Sequence, residues 1–237
     1  MKLFSIYIFS LLLTHPIKAE TFSTEARLGI PAFLQSKSDP SKISNDYLPY
    51  LNNGRIFTSP IEHPYKRTIA IEGYTIMRLP LKEVFETGVN FDQFAEMGMP
   101  GVTKSVIVTH SSYESPGLAW FEMRQFGFAS RHYVEFQLKK KHDSAHSSWT
   151  LSNPDSLSYH SKYGYLANKP KIQGLFGSWY VKSLDPDKNG NPRTFVRYFI
   201  KTQFKKIVPG FIINRIFKKN LPDDVKTIIK NIENAAR

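Results

Sequence analysis

The chain has 237 residues, 41% of them hydrophobic and 14% aromatic, so it can bury a core and is not a disordered polymer. It contains no cysteine, which excludes disulfides, thiolate metal sites and a cysteine nucleophile. Lys and Arg exceed Asp and Glu by 12, which favours a polyanionic partner, either nucleic acid or an anionic membrane.

The N-terminus has the pattern of a secretory signal peptide over residues 1–19. Lys2 supplies a positive charge, residues 3–13 form an apolar run, and a small-residue cleavage site ends at Ala19. The run is too short to span a bilayer as a helix. We therefore predict cleavage after Ala19, export to the periplasm or the outside of the cell, and one mature domain over residues 20–237.

The first part of the mature chain contains three segments that differ in composition and apolar period. Residues 20–64 are polar and interrupted by prolines, which predicts a short helix near residues 25–36 and irregular chain after it. Residues 65–78 are rich in β-branched side chains and predict a strand. Over residues 81–97 the apolar period becomes helical, which predicts one or two short helices.

The middle of the chain has the two-residue period of strands with one buried face. Turn-forming residues separate the strands, most densely over residues 185–191, and residues 153–173 read as a long connection. The predicted strands cover residues 103–111, 118–125, 131–140, 147–153, 174–184 and 192–202.

The C-terminal tail, residues 209–236, repeats apolar residues every three or four positions, which predicts one amphipathic helix with a stripe to be covered. A run of antiparallel strands followed by such a helix indicates an α+β fold. We expect a curved antiparallel sheet with the long helix laid across its concave face. That arrangement leaves an apolar space between helix and sheet.

The candidate metal and cofactor motifs each lack a residue that binding requires or have a simpler interpretation. Asp185 to Gly190 resembles the opening of a calcium loop, but its twelfth position is Val196 instead of Glu, so a hairpin turn is predicted. His142 and His146 have helical ligand spacing, yet lysines flank them and a solvated turn is the better interpretation. No nucleophile elbow, phosphate loop or dinucleotide fingerprint occurs, so we predict neither a metal nor a cofactor.

Three stretches together resemble the START domain, the helix-grip family of lipid-transfer proteins related to the steroidogenic acute regulatory protein. Residues 120–134 are similar to the family's aromatic strand, turn and Arg-Asp-Tyr-Val signature, with His132 in place of the Asp. Residues 174–202 resemble its penultimate hairpin. Residues 208–222 resemble the Gly-x-Ile-Pro-x-Trp-Leu-Ile-Asn entry to its C-terminal helix.

The resemblance implies a hydrophobic tunnel roofed by the C-terminal helix, which opens at a membrane to exchange one lipid or other hydrophobic molecule. It implies a carrier instead of an enzyme, with no nucleic-acid partner. Because the signature Asp is replaced, no head-group site is carried over. The inward positions on strands and helix that are predicted to contact the ligand are Phe121, Met123, Phe136, Trp149, Trp179, Val196, Tyr198, Ile212, Ile216 and Phe217.

Charged residues supply two further predictions. Arg131 is a candidate polar anchor inside the cavity, and its alternative is a structural ion pair near the strand start. Basic residues cluster where the C-terminal helix begins, where they would dock on an anionic membrane or, alternatively, only keep the surface solvated. These docking residues are Lys205, Lys206, Arg215, Lys218 and Lys219.

Two other functional classes stay open. A helix-grip cyclase or hydratase acting on a polyketide-like substrate would need a partly buried acid/base pair inside the cavity. A basic adaptor would bind nucleic acid or acidic protein through its surface, with strongly salt-dependent affinity and no occupied pocket.

Overall fold

A computed structural model describes residues 51, 54–61, 67–112, 115–125, 128–152, 172–216 and 220–237. The predicted signal peptide and the short helix near residues 25–36 lie outside this part of the chain. So does most of the long connection that follows the sixth strand. The described chain forms one sheet with its C-terminal helix over one face.

Eight strands of the described chain form a single antiparallel sheet in the order β1-β2-β8-β7-β6-β5-β4-β3. Alternating side chains point to opposite faces, as the sequence period requires. The strands are β1 (Phe57–Ile61), β2 (Thr68–Met77), β3 (Val102–Thr109), β4 (Gly117–Gln125), β5 (Phe128–Lys140), β6 (Ser144–Leu151), β7 (Ile172–Leu184) and β8 (Arg193–Phe204).

One strand, β1, was not predicted, because the segment that holds it is polar and broken by prolines. Its Pro60 pairs with Ile71 of β2. A proline lacks the N–H for a central ladder but is tolerated on an edge strand, and β1 lies at the edge of the sheet. Pairing with a long buried neighbour therefore makes a strand of five residues that local preference disfavours.

The helices whose bounds lie in the described residues are short, apart from the last one. They are α1 (Leu81–Gly88), a 3-10 turn (Phe91–Gln93), α2 (Gly210–Arg215) and α3 (Leu221–Ala235). The predicted C-terminal helix over residues 209–236 corresponds to α2 and α3, and residues 217–219 between them lie outside the described residues. Pro222 lies in the first turn of α3, where a proline is tolerated. None of the described helices is long and apolar enough to cross a membrane.

Helix α3 lies across β2 on the concave face of the sheet. Val225, Ile229 and Ile232 form its buried stripe. Gly73 of β2 allows the close approach, since a Cβ there would be 2.5 Å from Cγ1 of Val225 and 2.7 Å from Cδ1 of Ile229. The predicted α+β architecture, with a C-terminal helix over a curved antiparallel sheet, is confirmed.

The convex face of β2 and β8 buries an ion pair. Arg197 contacts the carboxylate of Glu72 through Nε at 3.1 Å and Nη2 at 2.5 Å, and the Tyr74 hydroxyl donates to the same carboxylate. Glu72 is 0% exposed. Burial raises the pKa of Glu72, and the neighbouring guanidinium opposes that rise. Removing either side chain should therefore destabilise the fold, because the remaining charge would be buried without a partner.

Candidate functional site: an apolar cavity under the C-terminal helix

A cavity of about 210 Å³ lies between the concave face of the sheet and α3, with α1 and the 3-10 turn along its side. Apolar and aromatic side chains make up most of its wall. Helix α3 contributes Val225, Ile228 and Ile232, and Leu221 stands at its start. This is the space that a helix laid over a curved sheet was expected to leave.

Inward side chains of several strands form the aromatic part of the wall. Phe121 and Met123 come from β4, Trp149 from β6, Trp179 from β7 and Tyr198 from β8. The aromatic rings contact one another, with the Trp149 and Tyr198 centroids 6.0 Å apart and those of Trp179 and Tyr198 6.2 Å apart. Strand alternation thus places one continuous aromatic wall along the cavity.

A glycine makes room for the largest of these side chains. Gly177 of β7 lies opposite Trp149 of β6 in the ladder. A Cβ on Gly177 would be 2.2 Å from Cε2 of the Trp149 ring. The indole therefore lies flat over the backbone of β7 instead of standing up and filling the cavity.

The cavity extends to the end of the sheet where β2, β5 and β7 begin and β4 and β8 end. Ile69, Ser130, Ile172 and Thr202 line it at that end. All but Ile69 are partly exposed, whereas Trp179 at the other end is 1% exposed. We take the exposed end as the mouth of the cavity.

Three titratable side chains lie in the cavity wall: His132, Tyr198 and Asp224. Burial lowers the pKa of His132 to about 4, so its ring is neutral at neutral pH. Burial and the nearby carboxylate of Asp224 raise the pKa of Tyr198, which stays protonated. Neither His132 nor Tyr198 is poised to exchange a proton near pH 7.

Of the predicted ligand contacts, six line the cavity. They are Phe121, Met123, Trp149, Trp179, Tyr198 and Ile216. Phe136 and Val196 are buried in the same core without lining the cavity, and Ile212 packs in a separate cluster under α2. Phe217 lies outside the described residues. Contact of any of them with a ligand stays a prediction.

Arg131 does not reach the cavity. Its Nε donates to the carboxylate of Glu122 at 2.8 Å across β4 and β5. Its neighbours His132 and Val134 line the cavity, and successive side chains of a strand point to opposite faces, so Arg131 lies on the convex face. The interpretation as an internal anchor is therefore replaced by its alternative, a structural ion pair.

The residue that the sequence prediction missed is His132. Its signal was present, since it shares parity with Val134 and Phe136, which were placed on the buried face. It was treated only as a departure from the Arg-Asp-Tyr-Val signature. A polar residue was not expected on the inner face, although it is 2% exposed there.

The predicted docking residues surround an unpredicted apolar tip. Lys206 and Arg215 are exposed and Lys205 is half-buried, whereas Lys218 and Lys219 lie outside the described residues. Between them, the side chains of Ile207 and Phe211 are 75% and 74% exposed.

The remaining motifs have structural roles. Asp187 accepts hydrogen bonds from the backbone of Asn189 and Asn191 in the β7–β8 hairpin, which confirms the predicted turn. His142 lies in the β5–β6 turn as expected, but His146 is half-buried within β6, contrary to prediction. No group of three or more His, Asp or Glu side chains in the described ranges could hold a metal ion.

Acid should destabilise the fold through its buried histidine. The pKa of His132 is about 4 in the folded protein, below the ordinary value of 6.5, so the unfolded chain binds more protons between those values. The free energy of unfolding is therefore expected to fall by about 3 kcal/mol from this residue as pH drops from 6.5 to 4. Urea denaturation across that range should show a shallower pH dependence for His132→Phe than for the wild-type protein. Parallel curves would contradict the assignment.

Comparison with solved structures identifies the fold. A STAR-related lipid transfer protein from Xanthomonas axonopodis aligns with a TM-score of 0.54 at 13% identity, over 77% of this chain and 93% of that one. Human StAR-related lipid transfer protein 5 aligns with a TM-score of 0.52 at 14% identity, over 76% and 81%. An aromatase/cyclase from Streptomyces sp. R1128 aligns with a TM-score of 0.52 at 10% identity, over 71% and 93%.

These identities are low enough that the likeness concerns the fold and not the activity. No protein-family model and no curated protein sequence matches the chain. Lipid-transfer proteins and an aromatase/cyclase both occur among the structures with this fold.

Proposed function

We propose that this chain, whose fold is the START-like helix-grip fold, binds one hydrophobic molecule under α3 and exchanges it with a membrane. The observation that carries the proposal is the cavity of about 210 Å³ with its mainly apolar wall. Each CH₂ group moved from water into such a space contributes about 0.8 kcal/mol, so a single chain or ring system would be held firmly.

Exchange requires the mouth to open, and α2 is the described element that lies over it. Ile213 of this helix and Ile216, which directly follows it, pack against Ile69 and Phe204, and all of these except Ile213 also line the cavity. The described part of α2 has only six residues, and Pro222 lies in the first turn of α3. A shift of α2 would widen the mouth without unfolding the sheet.

The outer side of the same region has the chemistry of a membrane-docking surface. Ile207 and Phe211 present exposed apolar side chains, with Lys206 and Arg215 beside them in the chain. An apolar tip can enter the acyl boundary, and each basic residue adds about 1 kcal/mol on an anionic surface. Docking here would bring the mouth of the cavity to the lipid.

Arg67 fixes the loop that presents this tip. Its Nη2 donates to the carbonyl oxygens of Lys205 at 3.1 Å and Lys206 at 2.5 Å, and also to that of Val208. It does so from a left-handed backbone conformation, with φ of 83°, which is unfavourable for a residue with a side chain. Ile207 is thereby held outward instead of folding into the cluster under α2.

Removing the apolar tip should uncouple exchange from binding. We expect the double variant Ile207→Ser with Phe211→Ser to transfer a labelled single-chain lipid between anionic vesicles at least tenfold more slowly than wild type, because the tip can no longer insert. Its equilibrium affinity for the same lipid in solution should stay unchanged, since neither side chain lines the cavity.

Two double charge-reversal variants distinguish docking by specific basic residues from an effect of the protein's net charge. The double variant Lys206→Glu with Arg215→Glu should transfer lipid to anionic vesicles more slowly than wild type, and its transfer rate should no longer depend on salt concentration. Lys139→Glu with Lys141→Glu makes the same change at the β5–β6 turn, at the opposite end of the sheet from the mouth, and should leave transfer nearly unchanged. Equal slowing by both pairs, or no slowing by the apolar variant, would contradict the docking surface.

A second candidate is an enzyme acting on the enclosed molecule. His132, Tyr198 and Asp224 share the cavity, and an aromatase/cyclase has the same fold. The lowered pKa of His132 and the raised pKa of Tyr198 make both poor catalysts of proton transfer at neutral pH, which supports the carrier instead. Recovery of the bound molecule with its mass unchanged after long incubation would favour the carrier, and a changed mass would favour the enzyme.

Export after cleavage at Ala19 is part of the same proposal. It would put the basic docking surface beside a membrane outside the cytoplasm. Fractionation of cells with N-terminal sequencing of the mature protein tests it, and a protein that retains its first residues in the cytoplasm contradicts it.

A further inference from the structure

Two rings of the described cavity wall have a buried nitrogen without a hydrogen-bond partner, Nδ1 of His132 and Nε1 of Trp179. The Trp179 nitrogen packs against Gly88 of α1, so we consider His132. His132 stacks on Phe121, its cross-strand partner, with ring centroids 6.0 Å apart and an interplanar angle of 24°. The residue is 2% exposed and lines the cavity. Its Nδ1 has no hydrogen-bond partner among the described residues.

A buried polar atom without a partner is costly, and native structures rarely leave one so. In a neutral imidazole one nitrogen donates and the other accepts, and the tautomer adjusts to whichever partner is present. A hydroxyl or carbonyl group of a bound molecule could therefore satisfy His132. Near the ring the wall offers the apolar side chains of Phe121, Val134 and Met123, together with one hydroxyl group, that of Ser130.

The charges around the cavity limit what the polar group can be. No Lys or Arg is found among the described lining residues, so an anionic head group would have no counter-charge. The carboxylate that lines the cavity, Asp224, would repel an anion further. Burying an unpaired charge costs several kcal/mol, which excludes phosphate and carboxylate groups from the enclosed part of the ligand.

Size adds a second limit. An apolar cavity of about 150 Å³ is known to hold benzene, whereas pockets for drug-sized ligands reach about 300 to 1,000 Å³. At about 210 Å³, the cavity suits a single chain or a small ring system. A phospholipid with two full acyl chains exceeds it.

From these observations, and resting on the proposed function, we infer that the cavity selects an uncharged amphipathic molecule of one chain or ring system, whose single hydroxyl or carbonyl group hydrogen-bonds to His132. The wall binds the apolar body of the molecule. His132 determines specificity by accepting molecules that carry the polar group.

A matched set of probes tests the inference: 1-decanol, undecane and decanoate, equilibrated with the full-length protein and quantified by extraction and gas chromatography. We expect His132→Phe, which keeps a ring stacked on Phe121, to weaken binding of 1-decanol about tenfold, the usual effect of one lost hydrogen bond. Binding of undecane should stay unchanged or improve. Decanoate should bind the wild type at least tenfold more weakly than 1-decanol.

Two further measurements guard against a merely structural effect. His146→Phe alters a half-buried histidine on the other face of the sheet and should leave both uncharged probes unaffected. In wild-type protein with ¹⁵N-labelled histidine, 1-decanol should shift the ring-nitrogen resonance of His132, and undecane should not. This readout remains available if His132→Phe fails to fold.

The outcomes distinguish this inference from the function on which it rests. Equal losses for 1-decanol and undecane in His132→Phe, or an unchanged nitrogen resonance with 1-decanol bound, would overturn the role of His132 and leave the carrier intact. Decanoate bound as tightly as 1-decanol would overturn the exclusion of anions. If none of the three probes binds the wild type, both the inference and the carrier function fail.

Discussion

Replacing Arg197 with alanine is expected to lower the free energy of unfolding by about 3 to 5 kcal/mol, the largest single-residue effect we foresee in this chain. The variant leaves the Glu72 carboxylate, 0% exposed, without the guanidinium that contacts it at 2.5 Å. Urea denaturation at neutral pH measures the loss. A loss below about 1 kcal/mol would show that the pair is solvated in solution.

A second variant shows whether the loss of stability comes from the unpaired Glu72 charge or from lost packing. Adding Glu72→Gln to an Arg197→Met variant removes both charges and keeps similar volumes, so most of the stability should return. Arg237→Ala is the exposed control, because its partner Glu233 lies near the end of α3 and surface pairs contribute about 0.2 to 1 kcal/mol. A double variant no more stable than Arg197→Ala would place the effect in packing.

Filling the cavity should abolish binding without unfolding the protein. Thr202 of β8 lines the cavity near its mouth, between Ile69 of β2 and Leu175 of β7. In Thr202→Trp the indole occupies empty space. The free energy of unfolding should therefore fall by less than it does when a filled core is overpacked, which costs about 1 to 3 kcal/mol. Protein purified and extracted with organic solvent should then carry at least tenfold less hydrophobic ligand than wild type, as measured by mass spectrometry.

The matched control places the same substitution on the other face. Thr150 of β6 is exposed on the convex side, so Thr150→Trp should retain the wild-type amount of ligand. Equal ligand in both variants would show that the molecule binds elsewhere. Wild-type protein that is repeatedly empty and cannot move lipid between vesicles would contradict the carrier itself.

Strand positions were predictable because a strand with one buried face alternates apolar and polar residues along the sequence. The wall residues Phe121, Trp149 and Tyr198 followed from that parity alone. The same rule places His132 inward, two residues before Val134, although the side chain is polar. Arg131 had two interpretations, an anchor inside the cavity and a structural ion pair, and the structure shows the ion pair with Glu122 on the opposite face.

Other features depend on contacts that no local pattern contains. Strand β1 forms only because a neighbouring strand offers an edge for its pairing. The ion pair of Glu72 and Arg197 joins residues that are 125 positions apart, so neither looks unusual where it stands in the sequence. The exposure of Ile207 and Phe211 likewise depends on how the loop before α2 packs against the sheet, which the local sequence does not show.

The sequence by itself determined the α+β class, the order of most strands and the amphipathic character of the C-terminal tail, because each of these depends on the spacing of neighbouring residues. Only the tertiary structure decided which inward side chains border empty space, which ring nitrogens lack a hydrogen-bond partner and where the mouth opens. Those properties arise from how closely α3 approaches the sheet at Gly73 and how the rings fill the remainder, and that depends on residues far apart in the chain.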